Sequence, residues 1–211
     1  CSTGWHQTTL EDRLAAGYPP PPSPGPKALA TPVKLAVHLQ FERCRGGEFA
    51  PDPRLAWNDQ DRKLLLSVLE DAIRIQALSE YLILPPETPS DPAALAAAAR
   101  EHGADAVLSL RAALEVDWYC NPAVLLDPTI IGMVLIPAAH RDVMAILRGD
   151  LFDLRQDPAL VWTGTAVATR KINGPTLVIN SRRAADPARR EVLRRVSESL
   201  FRHLHRQRPL G

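Results

Sequence analysis

The chain has 211 residues, enough for one domain of ordinary size or one domain plus a tail. An apolar content of 45% supports a real core, and a formal net charge of +1 draws the chain toward neither nucleic acid nor acidic partners by bulk charge. No apolar run approaches the ~18–20 residues of a membrane-crossing helix, and 20 Pro against 11 Gly point to a stiff segment.

That segment lies at the start. Tyr18 is followed by Pro19 to Pro22, then Ser23-Pro24-Gly25-Pro26, and finally Pro32. Proline fixes φ and lacks an N–H, so such a stretch favours extended polyproline II and acts as a semi-rigid spacer. Residues 1–32 therefore read as a tether and residues 33–208 as a single domain. At the head stands Cys1, one of 3 cysteines. Bacterial lipoproteins, once their signal peptide is cleaved, begin on a cysteine whose sulfur carries the lipid, and Cys1-Ser2-Thr3-Gly4 resembles such a start; an arbitrary start is the alternative. The expectation is a diacylglycerol and an N-acyl chain (palmitate or similar) on Cys1, with no other cofactor. Two or more acyl chains anchor stably, at ~0.8 kcal/mol per buried methylene. Ser2 in second position matches lipoproteins sorted to the outer membrane, which places the domain on its periplasmic face.

Val33, Leu35, Val37, Leu39 and Phe41 alternate with Lys34, Ala36, His38 and Gln40, a period-2 strand with one apolar side. His38 falls on the polar side and reads as solvated. Asn58 caps a helix with Asp59 and Asp61 in its first turn, and Leu65, Val68, Leu69, Ala72 and Ile73 recur at helical spacing. Tyr81 to Leu84 is a short strand stopped by Pro85-Pro86. Ser90 is the expected cap of a second helix over the alanine-rich run to Arg100, with Gly103 as its stop. A strand runs from Ala104 to about Val116, followed by strands at Ile130–Ile136, Val143–Leu154 and Leu160–Thr169, the last two joined as a hairpin at Asp157-Pro158. Leu177 to Ile179 adds a short edge strand. Asp186-Pro187 opens a closing helix with Val192, Val196, Leu200 and Leu204 on one stripe. The fold class is α/β (α+β): a mixed sheet, β-α-β-α-β followed by antiparallel strands and a C-terminal helix. Right-handed crossovers are expected to put the first two helices on one face.

Several of these segments resemble the periplasmic accessory lipoproteins of the CsgG and LpoB type: Lys34-Leu35-Ala36-Val37, the helix end and strand start from Glu101 to Leu108, and Asp150 to Leu154 followed by Leu160-Val161-Trp162-Thr163-Gly164. Asp127-Pro128-Thr129-Ile130-Ile131-Gly132 also resembles rhombotarget-type lipoproteins. The resemblance implies binding to envelope partners without catalysis. It also suggests that the first and third strands are parallel neighbours, which would bring Cys44 and Cys120 to one sheet edge. In an oxidising periplasm, with Cys1 taken by lipid, a Cys44–Cys120 disulfide is then expected.

Residue patterns for catalysis are absent from the sequence. The six histidines are scattered, and there is no HExxH, CxxC, phosphate-binding glycine loop or nucleophile elbow. Asp150 and Asp153 are three apart in a strand, on opposite faces, so a structural role outweighs an acid/base pair. No catalytic residue and no metal ligand is assigned. The distinctive feature is nine arginines within 27 residues, Arg182 to Arg208. A solvated outer helix face is the plain reading. The sharper one is an anion-binding surface including Arg182, Arg183, Arg190 and Arg194, because guanidinium forks pair with carboxylate and phosphate. Trp118 and Tyr119 head an apolar loop of the kind that forms interfaces. Together these features favour a lipid-anchored binding or scaffolding protein of the envelope. Its partners are the membrane through the anchor and an envelope protein, with peptidoglycan or anionic lipid as the anionic surface; the inferred compartment disfavours nucleic acid. A homo-oligomeric subunit of a secretion or export assembly is the alternative, and an envelope enzyme the third reading.

Overall fold

The computed structural model describes residues 29–41, 45–46, 57–120, 139–174 and 182–207, with backbone alone for 45–46, 117–120 and 139. The elements are β1 (Val33–Phe41), β2 (Arg45–Gly46), α1 (Asp59–Arg74), β3 (Leu78–Ile83), α2 (Pro92–Glu101), β4 (Ala106–Cys120), β5 (Ala139–Asp153), β6 (Ala159–Gly174) and α3 (Arg182–Arg206). One sheet holds every described strand in the order β3-β1-β4-β5-β6, with β2 beside β4 beyond the end of β1. The first three positions are parallel, and β4, β5 and β6 form an antiparallel meander. This is the mixed α/β (α+β) sheet expected from the periodicity, with the closing helix in place. No described helix is long and apolar enough to cross a membrane.

The two crossover helices lie on opposite faces, not on one. Leu65, Leu69 and Ala72 of α1 share a core with Val192, Val196, Leu200 and Leu204 of α3 on the first face. Leu95, Ala96 and Ala99 of α2 pack on the second face with Ala36, Leu84, Val107 and Leu154. The reason is topological. From β1 the chain moves outward to β3, then returns past β1 to β4. A right-handed crossover made in two opposite directions puts its helices on two opposite faces. β1 is consequently covered on both sides, as inner parallel strands are, and His38 is 1% exposed and buried. The reading of His38 as solvated is corrected by this burial.

Local chemistry sets the helix ends. The Asn58 side chain accepts from the Gln60 and Asp61 amides, and Asp61 accepts from the Asn58 amide, a complete capping box. The cap of α2 is Asp91, not Ser90; its carboxylate accepts from the Ala93 and Ala94 amides, and Pro92 holds the first helical position. Gly103 ends that helix at φ +67°, as expected of a left-handed stop. α3 starts at Arg182 rather than Asp186, so Pro187 lies inside it and forfeits an amide that would donate to the Arg183 carbonyl. Leu29, within the stretch read as tether, is 1% exposed in the first-face core. Thr31 Oγ1 donates to the Gln207 carbonyl at 3.1 Å.

In the meander, Gly149 faces Gly164 across the β5–β6 ladder. The Trp162 indole fills the space both leave open: a Cβ on Gly164 would stand 2.5 Å from Trp162 Cζ2, and one on Gly149 2.9 Å from Cζ3. α3 closes over the indole, with the His203 ring 6.5 Å from the Trp162 ring.

β4 runs to Cys120 because β5 pairs with it residue by residue as far as Cys120↔Ala139. Trp118 and Tyr119 therefore end a strand and do not begin a loop. The predicted strands at 130–136 and 177–179, the remainder of the aromatic loop, and Cys1 lie outside the described residues. So does Cys44, and with it the Cys44–Cys120 bridge. The premise of that bridge holds, since β1 and β4 are parallel neighbours. Thiol labelling of the unfolded, unreduced protein tests the bridge, which is expected to protect Cys44 and Cys120 together; modification of both would rule it out.

Candidate interaction surface

α3 lies on the sheet through Ala184, Ala185, Ala188, Val192, Val196, Leu200 and Leu204. The three alanines let the helix approach closely at its N-terminal half. On the opposite side Arg183, Arg190 and Arg194 recur at i, i+7 and i+11, which places them in one stripe about 16 Å long. All three are exposed.

The structure divides the arginines. Arg194 is held by Glu198 at 2.8 Å and Glu191 at 3.1 Å, and Arg195 by Glu191 at 2.7 Å. These hydrogen bonds keep the Glu191 carboxyl below the usual range. Arg202 Nε donates to the Glu198 carbonyl. Arg182 is exposed but engaged elsewhere. Arg183 and Arg190 are exposed and have neither an ion pair nor a hydrogen bond among the described residues. Of the residues singled out from sequence, then, Arg183 and Arg190 keep their charge available, Arg194 shares it with two glutamates, and Trp118 and Tyr119 stand in the last rungs of the β4–β5 ladder. α3 runs with its C-terminal end beside Thr31 and its N-terminal turns beside α1. The first arginines thus lie toward the end of the sheet where β4 reaches Trp118.

Arg189 is different in kind. It is 2% exposed and pairs with Asp61 of α1 at 3.0 Å and with Asp186 at 2.5 Å. Sequence reading grouped it with the outward arginines. Its phase was the available signal, because Arg189 shares the helical stripe of Val192 and Val196. The same Asp61 completes the capping box, so one carboxylate fixes the start of α1 and ties it to α3. Above this pair is a cleft of about 270 Å³, lined by Asn58, Gln60, Asp186 and Arg190 among others. It offers one uncommitted guanidinium beside carboxylates already engaged, which suits polar contact with a partner.

The second face beyond α2 carries a buried charged band. Asp150 accepts from Arg148 at 3.2 Å and from Thr163 at 2.8 Å, and Arg111 lies 3.8 Å away. Lys171 stands 3.6 Å from Asp142. Arg111 and Arg148 face each other across β4 and β5, and Asp150 offsets their repulsion. Asp153 instead holds Arg155 at 2.9 Å. Both carboxylates are thus committed to ion pairs. Among the described residues, no three His, Cys, Asp or Glu side chains are grouped to hold a metal. Neither His38 ring nitrogen meets a well-aimed partner among the described residues. Burial lowers the His38 pKa, outweighing the nearby backbone of Thr88 and Pro86, which favours the charged form. Burial lowers that of His203 as well, with Arg206 acting in the same direction.

No protein-family model matches the chain, and no curated protein matches it. Solved structures do. A hypothetical protein of Chlamydia trachomatis is 10% identical, covering 82% of this chain and 98% of that one, with a TM-score of 0.41. A neuraminyllactose-binding hemagglutinin homolog of Helicobacter pylori is 11% identical, covering 89% and 94%, with a TM-score of 0.45. The C-terminal domain of LpoB from Salmonella enterica is 13% identical, covering 77% and 94%, with a TM-score of 0.32. LpoB is one of the lipoproteins whose segments this sequence resembles. At such identities and scores, these likenesses carry no functional argument.

Two outcomes follow from the buried groups. Arg189→Met leaves Asp61 buried without its partner and is expected to lower unfolding free energy by about 3 kcal/mol or more, whereas Asp61→Asn with Arg189→Met loses distinctly less; chemical denaturation of the three proteins measures this, and equal losses would contradict it. For His38 the folded pKa lies below the ordinary value of ~6.5, so the unfolded chain binds the proton first as pH falls. The associated stability is complete above pH ~6.5 and declines below it. Melting curves from pH 7.5 to 5 should show that decline, and His38→Gln should reduce it, leaving the share that belongs to His203; an unchanged slope in the variant would refute the assignment.

Proposed function

We propose that this chain is a non-catalytic binding protein of the bacterial envelope, at the outer membrane, which engages an anionic partner through Arg183 and Arg190 of α3. What carries the reading is that pair of exposed, uncompensated guanidinium groups. They lie seven residues apart on one helix face, about 10 Å along the axis, while the neighbouring Arg194 and Arg195 are neutralised within their own helix. Two forks at that spacing suit phosphate or carboxylate groups repeated on a surface. Lipid headgroups, cell-wall carboxylates and an acidic protein face all present such groups. The proline-rich residues 18–26 support a stiff spacer ahead of the domain. The charged side chains of the second face are engaged in ion pairs, which favours binding over catalysis.

The reading is tested with vesicles. Unlipidated protein should co-sediment with anionic vesicles at low salt, release as ionic strength rises because exposed charges are screened within ~8–10 Å, and lose binding on Arg183→Glu with Arg190→Glu. Equal binding to neutral and anionic vesicles, or none at low salt, would sink it.

A further inference from the structure

β6 is the last strand of the sheet, and no strand among the described residues pairs with its outer side. The direction of its backbone groups follows from the ladder. The Leu154 amide donates to the Asp105 carbonyl at 2.8 Å, continuing the register in which Asp153 faces Ala106. Even-numbered residues of β5 therefore aim their N–H and C=O groups at β4, and odd-numbered ones at β6. Ala145, Leu147 and Gly149 face Ala168, Ala166 and Gly164, so these β6 residues bond inward. Thr163, Thr165, Val167 and Thr169 must then point their backbone groups outward. Two contacts agree with this parity: Arg195 donates to the Val167 carbonyl at 3.3 Å, and Arg170 to that of Thr169 at 3.2 Å.

From Leu160 to Thr169 this edge has neither charge nor proline, and Val167 is 40% exposed. Native sheets blunt such edges with short strands, charges, prolines or bulges. The opposite edge does so: β3 has 6 residues, with Glu80 tied to Lys34 and Pro85-Pro86 just beyond. β6 has 16 residues and an irregularity only near its start.

We propose that β6 is a homotypic interface, two copies of this chain pairing antiparallel about a twofold axis at Ala166 so that the sheet continues across the dimer. A second copy is the occupant because this edge is complementary to itself. With Ala166 opposite its mate, Thr163 faces Thr169 and Thr165 faces Val167, so every outward residue of the run meets another and about eight backbone bonds form. Arg170 and Lys171 fall opposite the uncharged Trp162 and Val161 of the other copy. Moving the axis to residue 170 would set Arg170 against Arg170, and moving it toward the turn would run into the irregular start of the strand. Arg195 gives up the Val167 carbonyl and keeps Glu191.

Sedimentation equilibrium of the full chain tests this, with circular dichroism confirming that each variant is folded. Wild type is expected to dimerise. Thr165→Pro removes an outward amide and spares the β5 ladder, and should weaken the dimer roughly tenfold or more. Thr165→Lys with Val167→Lys sets lysine against lysine twice and should give monomer, whereas Thr165→Glu with Val167→Lys sets opposite charges together and should restore the dimer. A wild type that stays monomeric at hundreds of micromolar overturns the proposal. So does a charge-paired variant that associates no better than the double lysine.

Discussion

The position of β1 between two parallel neighbours governs the domain. As an inner parallel strand between two crossovers made in opposite directions, β1 is covered on both faces. Val33, Leu35, Val37 and Leu39 need α1 and α3, while Ala36 needs α2. The outward and return crossovers supply one helix to each face. With α2 on the second face, α1 must share the first face with α3, and the seam between them becomes the place where polar groups have to be reconciled. Asp61 and Arg189 do that. Their pairing fits the phase that the apolar stripe of α3 sets, and that phase turns Arg183 and Arg190 outward. A change in strand order would therefore alter the charged surface without touching any arginine.

The antiparallel half obeys a different constraint. β4, β5 and β6 are 15, 15 and 16 residues long, yet only their middle can lie beneath one helix. Under α3 the sheet is built from small residues, with Ala166, Ala168 and the facing glycines beside one indole. On the other face the same strands carry charges that neutralise one another in the plane of the sheet. The meander thus combines a close-packed side and a salt-bridged side in the same residues, alternating by the period of two that any strand imposes.

Much of this was legible in the sequence, and the parts that were not have definite physical causes. Period-2 and period-3.6 patterns, with helix propensity and cap residues, located β1, α1, β3, α2, β4, β5, β6 and α3, because their apolar residues recur in regular stripes. Periodicity could not report which stripe of β1 was solvent-facing, since both were covered, and so His38 was misplaced. It could not report helix side, which depends on strand order. Ser90 and Asp91 are both good caps, and only the backbone at the helix start chooses between them. The Asp186-Pro187 signal is real start chemistry, but packing of Ala184 and Ala185 extends the helix past it. Arg189 was hidden by composition: among nine arginines, only phase marks the buried one. The glycine pair beneath Trp162 carries no local pattern, because Gly149 and Gly164 meet only once the hairpin has closed.

The contact between Thr31 and Gln207 brings the entering and leaving ends of the domain together at one pole. α3 carries the chain ~36 Å from that pole back to Arg183. If residue 29 is where a spacer attaches, the domain is held from one end, and Arg183 and Arg190 occupy the opposite end. Lengthening or shortening the spacer then changes how far the domain reaches, while its leading end stays the same. A partner standing across the gap would meet that end first.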